Sequence, residues 1–392
     1  TVDRLANFNV SFRWEGKQLI TNYNIVKTSW RDIITTEAGT FTLDPTLSSG
    51  TITIIEDRTP GVNYYRGDFS WTLVYLNGDA RTTVDQSGSF YGYDCPWSST
   101  ETHRMSVSVM NDDWGLQYEI RPSVTVNKVL QYTRNEPTAI SFEGNYKEVL
   151  QNIAGLKYDI YVKPITSWDE PDAGEASIQR ENTFEQLPEP DLSFMRGNAA
   201  EDDIRKLFAM KILDGDPYYY MPSQAITRGQ FYTALAKTIK LPIQSAEESR
   251  TPSTAYLFND VDSTMPEYPY IMAIVNAGIA YGRDTGDFGF EEPIQRQEAF
   301  VVLVRALGLT NLGLNPTAAT FFSDDAQIAD WAKREISVAL QLGLIAPDSE
   351  GRVMPEAYIT KGEAAALFNT FIEYMRNVLV SDYAEHIVNI AK

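Results

Sequence analysis

The sequence predicts a multidomain chain, with an N-terminal all-β part of Ig-like sandwich or barrel kind and a C-terminal all-α part made of repeats. Three observations predict it. Apolar and polar residues alternate in short runs up to about residue 165, the period of a half-buried strand. A six-residue motif then occurs three times in the second half. Between these parts lies an acidic, proline-containing stretch that cannot bury enough apolar surface to form a core.

The β part covers residues 1–165. Phe8, Val10, Phe12 and Trp14 alternate with polar residues and give a strand one apolar face. Thr51 to Ile55 is a second strand. Phe69, Trp71, Leu73 and Tyr75 alternate again and run into Leu76-Asn77-Gly78-Asp79, a hairpin signal. Met105, Val107 and Val109 lead to Asn111-Asp112-Asp113, and Leu116–Ile120, Val124–Leu130, Ala139–Phe142 and Leu156–Val162 complete the series. Many short strands with regular turns point to an antiparallel sandwich or barrel. Only Tyr146 to Ile153 has helical spacing. Residues 166–191 read as a linker, because eight acids stand against the single cation Arg180 and Leu187-Pro188-Glu189-Pro190 favours extended backbone.

The motif is Ile226-Thr227-Arg228-Gly229-Gln230-Phe231, then Ile294-Gln295-Arg296-Gln297-Glu298-Ala299, then Ile359-Thr360-Lys361-Gly362-Glu363-Ala364. Each opens a helix. Thr227 with Gln230 and Thr360 with Glu363 form capping boxes, and Gln295 with Glu298 keeps the spacing with a poorer cap. Upstream, Ile204, Leu207, Phe208 and Ile212 recur at helical spacing, as do Ile271, Ile274, Val275 and Ile279, and Ile336, Ala339, Leu340 and Leu344. The motif cations lie 68 and 65 residues apart, so helix, turn, extended segment and capped helix repeat three times. A cation in a first helical turn opposes the macrodipole by roughly 0.3–1 kcal/mol. Its recurrence demands a compensating partner.

These residues resemble S-layer homology (SLH) repeats, whose usual signature is an aromatic-x-Asp opening, a Gly-Ile at the first helix end and Ile-Thr-Arg-Ala-Glu. The second repeat, 256–312, has Phe258-Asn259-Asp260-Val261, Gly278-Ile279 and Ile294 to Glu298. The third, 320–375, has Phe322-Ser323-Asp324, Trp331, Gly343-Leu344 and Ile359 to Glu363. The first, 192–245, is the most degenerate: its opening is missing unless Asp191 serves, and Lys211 replaces the Gly. Residues 376–392 form a C-terminal extension. The resemblance implies a helical pseudo-trimer of repeats in an extracellular protein of the cell wall or S-layer.

Composition narrows the partners. With 53 acids against 33 cations the net charge is −20, which argues against a nucleic-acid binder and against adhesion to anionic lipid. One cysteine, Cys95, excludes an internal disulfide framework, and with only His103 and His386 it excludes a Cys/His zinc cluster. No run of 18 apolar residues spans a membrane. The start at Thr1 suggests a removed signal peptide or a cut from something longer.

The candidate site residues follow from the motif and the resemblance. Arg228, Arg296 and Lys361 either pair with nearby acids or, with the first-turn N–H groups, cradle a ligand anion. Lys361 lacks the bidentate fork. The resemblance implies that these cations line grooves holding secondary cell-wall polysaccharide, often anionic and pyruvylated. Asp260 and Asp324 would accept sugar hydroxyls in those grooves, or cap the first helix. Trp331 would stack on a sugar ring or pack in the core. Gly215 and Gly282 would admit the ligand, or simply supply φ > 0. No cofactor is expected; calcium at Asp214-Gly215-Asp216 or in β-part loops has no EF-hand spacing behind it. Two functions compete: a non-enzymatic surface-layer protein that anchors to the wall and self-associates into a lattice, and an SLH-anchored extracellular enzyme or carbohydrate-binding protein. The sequence carries no catalytic constellation and favours the first.

Overall fold

The computed structural model describes residues 1–111, 114–132, 146–164, 172–243, 258–312 and 319–383. The expected strand Ala139–Phe142 and Trp168 lie outside these residues, as does the extension from residue 384.

The N-terminal region is one large antiparallel sheet. Its strands are β1 (Val2–Leu5), β2 (Phe8–Glu15), β3 (Gln18–Ile25), β4 (Arg31–Thr36), β5 (Gly39–Leu43) and β6 (Ser49–Arg58), followed by β7 (Asn63–Asn77), β8 (Ala80–Asp94), β9 (Ser98–Asn111), β10 (Trp114–Tyr132), β11 (Tyr146–Pro164) and β12 (Asp172–Leu187). The order is β1-β4-β5-β7-β8-β9-β10-β11-β12, with β6, β3 and β2 branching from β7. Among the described residues the sheet is open, with β1 and β12 each paired on one side, and it forks at β7. That strand is long enough to pair β6 along Asn63–Thr72 and β5 at Tyr75 and Leu76. The two branches enclose a small core of Trp30, Leu43 and Tyr75. The hairpin β7–β8 turns at Gly78-Asp79, where Gly78 takes φ +62°.

Two expectations change. The stretch read as a linker contains β12, paired along its length with β11. The strand is mostly exposed, so low apolar content did not preclude pairing at a sheet edge. Tyr146 to Ile153, read as helical, opens β11. A register shift between Glu148 and Val149 puts Tyr146, Glu148 and Val149 all in buried positions, which mimics helical spacing. Buried Glu148 is paired there with Lys128 Nζ at 2.7 Å.

The C-terminal region holds α1 (Glu201–Ala209), α2 (Arg228–Thr238), α3 (Tyr268–Asn276), α4 (Arg296–Leu307), α5 (Asp330–Gln341) and α6 (Lys361–Glu373). The motif helices α2, α4 and α6 meet at their N-termini. Ile226 N donates to Ile359 O at 3.0 Å, Ile359 N to Ile294 O at 3.1 Å, and Ile294 N to Ile226 O at 3.2 Å, closing a ring. Their apolar residues, among them Phe231, Phe300 and Phe368, fill one buried cluster that also takes in α1, α3 and α5.

The sheet is not independent of this helical body. Val62, Tyr64, Tyr93 and Trp97, from the β7–β9 end of the sheet, belong to the same buried cluster as the helices. The last carbonyls of a helix have no partner within it, and the sheet supplies donors to them. Trp97 Nε1 donates to Thr238 O at the end of α2 at 2.9 Å. Gly61 N donates to Ala306 O of α4 at 2.7 Å, and Tyr64 OH to Leu307 O at 3.1 Å. Ser98 Oγ also donates to Met375 O, in the helical continuation of α6 over Tyr374–Val378. The β part and the helical repeats therefore share a buried core. The chain should melt in one cooperative transition by calorimetry. Trp97→Ala should remove about 3–5 kcal/mol of stability and split the melt in two; two transitions in the unaltered protein would contradict the shared core.

Candidate functional site

At the N-termini of the motif helices, each motif reaches the extended segment of the next unit. Arg228 N donates to Glu292 O at 2.8 Å and Gly229 N to Phe290 O at 2.9 Å. Arg296 N donates to Ala357 O at 2.9 Å and Gln297 N to Pro355 O at 3.0 Å. Lys361 N donates to Gln224 O at 2.7 Å and Gly362 N to Pro222 O at 2.9 Å, which returns the cycle to the first unit. In α2 and α6 the threonine caps take a further N–H, and both capping boxes are complete. Gln295 makes no such bond. These first-turn N–H groups are thus occupied by carbonyls of the neighbouring unit.

Other acceptors on the same neighbouring segments account for the recurrent cation. Arg228 Nε donates to Phe288 O at 3.0 Å, and its guanidinium pairs with Glu298. It lies over the rings of Tyr232 and Phe288 at 5.4 and 5.1 Å. Only 2 % of Arg228 is exposed, and burial lowers its pKa. Arg296 Nε donates to Val353 O at 3.0 Å and Nη1 to Glu363 Oε1 at 3.0 Å, with the guanidinium over Phe300. Lys361 Nζ donates to Gln224 Oε1 at 3.3 Å and sits over Tyr220, and burial lowers its pKa. Three cations therefore do one job. Each bonds the segment it faces in the next unit, at a cost to its own helix dipole that these contacts offset.

Asp260 and Asp324 act on those segments from the other side. Asp260 accepts from Phe288 N, Gly289 N and Phe290 N at 2.6, 2.7 and 2.7 Å. Burial raises its pKa, but the three N–H groups outweigh burial and hold the carboxyl below its ordinary value. Asp324 accepts from Val353 N at 3.0 Å and Met354 N at 2.7 Å. Neither caps a first helix. Each pins the loop whose carbonyl takes the preceding unit's arginine: Asp260, loop 288–290, Arg228; and Asp324, loop 353–354, Arg296. Asp191 does not serve this way in the first unit, because it caps Ser193 N at 3.0 Å.

The other candidates separate by environment. Trp331 is 51 % exposed in the first turn of α5, which removes the core-packing alternative. The residue that precedes α5 bonds the second motif, Ala329 N donating to Gln297 Oε1 at 3.2 Å. Gly215 takes φ +89° and a Cβ there would meet open space. Gly282 is glycine for a different reason: its φ is not positive, and a Cβ would lie 2.4 Å from the Phe258 ring. His103 bonds Glu101 at 2.6 Å and stacks on Phe90, a structural arrangement. Asp214 pairs with Lys237 and Asp216 caps Tyr218 N, and among the described residues no group of three His, Cys, Asp or Glu is arranged for a metal ion. The inter-unit carbonyls that engage the cations were missed by sequence reasoning, because backbone acceptors leave no residue signature.

Residues 257–300 and 321–365 match the S-layer homology domain family. The chain carries S-layer homology repeats. It is 30 % identical over 186 residues to an exoglucanase, XynX, of Acetivibrio thermocellus, covering 47 % of this chain and 16 % of that protein. It is 28 % identical over 205 residues to an amylopullulanase of Thermoanaerobacterium thermosulfurigenes, covering 52 % of this chain and 10 % of the relative. A surface-layer 125 kDa protein of Lysinibacillus sphaericus is 25 % identical over 178 residues, 44 % of this chain and 14 % of its own length. The chain thus spans a small fraction of the relatives it matches. The SLH repeats and the surface-layer relative indicate a cell-wall or S-layer location, and among the described residues no helix is long and apolar enough to cross a membrane.

The loop-pinning carboxylates make acid stability a direct test. A carboxyl whose folded pKa is depressed contributes fully above its unfolded value, near pH 4, and its contribution is lost as pH falls through the folded pKa. Asp260 is lowered in this way, and bonds from Thr320 and Lys333 hold Asp325 down to about 2. Melting temperature should fall as pH drops from about 4 toward about 2. Asp260→Asn should melt lower at neutral pH and show a shallower acid slope. An unchanged slope in that variant would remove Asp260 from this role.

Proposed function

We propose that the protein is a non-enzymatic S-layer or S-layer-associated protein held non-covalently on secondary cell-wall polysaccharide by a pseudo-trimer of three SLH repeats, 192–245, 256–312 and 320–375. The observation that carries this reading is the cyclic closure of the three motifs, which gives residues 192–245 the same part in the ring as the two family-matched segments. Grooves between units are walled by the pinned loops. Arg228, Asp260 and Asp324 shape those walls, because their polar atoms bond the loop backbone. Arg296, Lys361, Trp331, Gly215 and Gly282 are the residues offered to an anionic, pyruvylated glycan, with Trp331 stacking on a sugar ring. The sheet, mostly acidic at its β12 edge, is displayed outward or tiles with neighbouring copies in a lattice.

A second reading has a specific observation behind it. Two of the relatives are named as polysaccharide-degrading enzymes, and the chain matches only 16 % and 10 % of them. The same repeats would then anchor an extracellular enzyme.

Trp331 separates binding from folding, since it is exposed. Trp331→Ala should weaken binding of a soluble, monovalent fragment of wall polysaccharide about tenfold, about 1.4 kcal/mol, with an unchanged melting temperature. Arg296→Ala should weaken binding and also lower the melting temperature, because Val353 O and Glu363 lose their donor. Full retention of binding by both folded variants would end the anchoring mechanism.

A further inference from the structure

Five helices in the repeat region end in the same way, and two of the five endings break a rule. After α3, α4 and α5 the chain turns through a left-handed glycine: Gly278 at φ +67°, Gly308 at φ +71° and Gly343 at φ +69°. In each, the next N–H reaches back to the helix, as with Ile279 N to Ile274 O at 3.1 Å. After α1 and α2 the identical turn is made by Lys211 at φ +57° and Lys240 at φ +48°. The bonds are the same, Ile212 N to Leu207 O at 2.9 Å and Leu241 N to Ala236 O at 3.0 Å. A side chain in this conformation costs roughly 1–2 kcal/mol where glycine costs nothing comparable. A cation does favour a helix C-terminus. That preference is met equally well one or two residues earlier, without left-handed backbone.

Both lysines line one cavity of about 610 Å³ at the C-terminal ends of α1 and α2. Lys237, Phe208 and Tyr270 line it as well, with Lys237 Nζ over the Tyr270 ring at 4.9 Å. Asp214 on the rim pairs with Lys237. Lys128 abuts Lys240 from β10 and is matched by Glu148, while Glu185 faces Lys240 more distantly. Burial, then the neighbouring Lys128, lowers the pKa of Lys240. The wall therefore carries three lysines against one aspartate, in a chain of net charge −20. The motif cations Arg228, Arg296 and Lys361 do not line this cavity; they lie at the opposite ends of their helices.

We propose that this cavity binds a sugar bearing phosphate or carboxylate, its anion held by Lys211 and Lys240 and its ring lying on Tyr270. The ammonium groups act as point charges that accept either anion. Gly215, with open space where a Cβ would be, leaves the mouth clear. The cavity shares Gly215 with the residues offered above to the wall glycan, and none of Arg228, Arg296, Lys361 and Trp331 lines it.

The test is calorimetric titration of the full chain with glucose 6-phosphate, glucuronate and glucose, for the unaltered protein, the Lys211→Gly/Lys240→Gly double variant and Trp331→Ala. Glycine restores the ending used after the other three helices, so the double variant should melt at the same temperature or higher. It should lose at least tenfold in affinity for whichever anionic sugar binds, while Trp331→Ala binds as the unaltered protein does. The tighter of the two acidic sugars identifies the anion. Equal binding of glucose, no binding of either acidic sugar, or undiminished binding by the double variant would each overturn the proposal. A fall in its melting temperature would do the same, by giving the lysines a structural role.

Discussion

The structure depends on how helix ends are satisfied. Every α-helix leaves its first N–H and last C=O groups without intrahelical partners, and the three motif helices bring such ends into the buried interior. Here the N-terminal groups are met by carbonyls of the neighbouring unit, and the last carbonyls of α2 and α4 by donors from the sheet. Neither set is optional, because a buried unpaired backbone group costs on the order of 1–3 kcal/mol. The helical body is therefore closed above by its own repetition and below by the β part.

This constraint explains the motif. A cation in a first helical turn is electrostatically poor in isolation. Once the adjacent loop turns its carbonyls toward that end, the cation becomes the donor those carbonyls lack. Asp260 and Asp324 fix the loops by taking their N–H groups, so acid, loop and cation form one connected unit twice over. The first unit has no aspartate at that position, and Lys361, which faces it, makes the longest of the three side-chain contacts. Degeneracy in sequence and looseness in geometry coincide there.

Much of this was legible in the residues and some was not. The capping boxes of Thr227 and Thr360, the hairpin at Gly78-Asp79 and the helical stripes follow from local rules, and the structure contains them. The alternation of Val10, Phe12 and Trp14 correctly marks a strand, yet that face is exposed, with Phe12 at 71 %. Alternation tells which residues share a face and not whether anything covers it. The strand β12 escaped because pairing at an edge needs backbone, not apolar side chains, and the start of β11 escaped because a bulge imitates helical spacing. The roles of Arg228 and Trp97 escaped because their partners, Phe288 O and Thr238 O, are main-chain atoms distant in sequence.

The central claim is that acid, loop and cation act together. A double-mutant cycle on Arg228→Met and Asp260→Asn, read by denaturant unfolding of the full chain, measures this directly, because both side chains bond loop 288–290 and their opposite charges also attract. The account predicts a coupling energy of about 1 kcal/mol or more. Additivity within about 0.3–0.5 kcal/mol would show that the arginine and the aspartate stabilise the fold separately, and would contradict it.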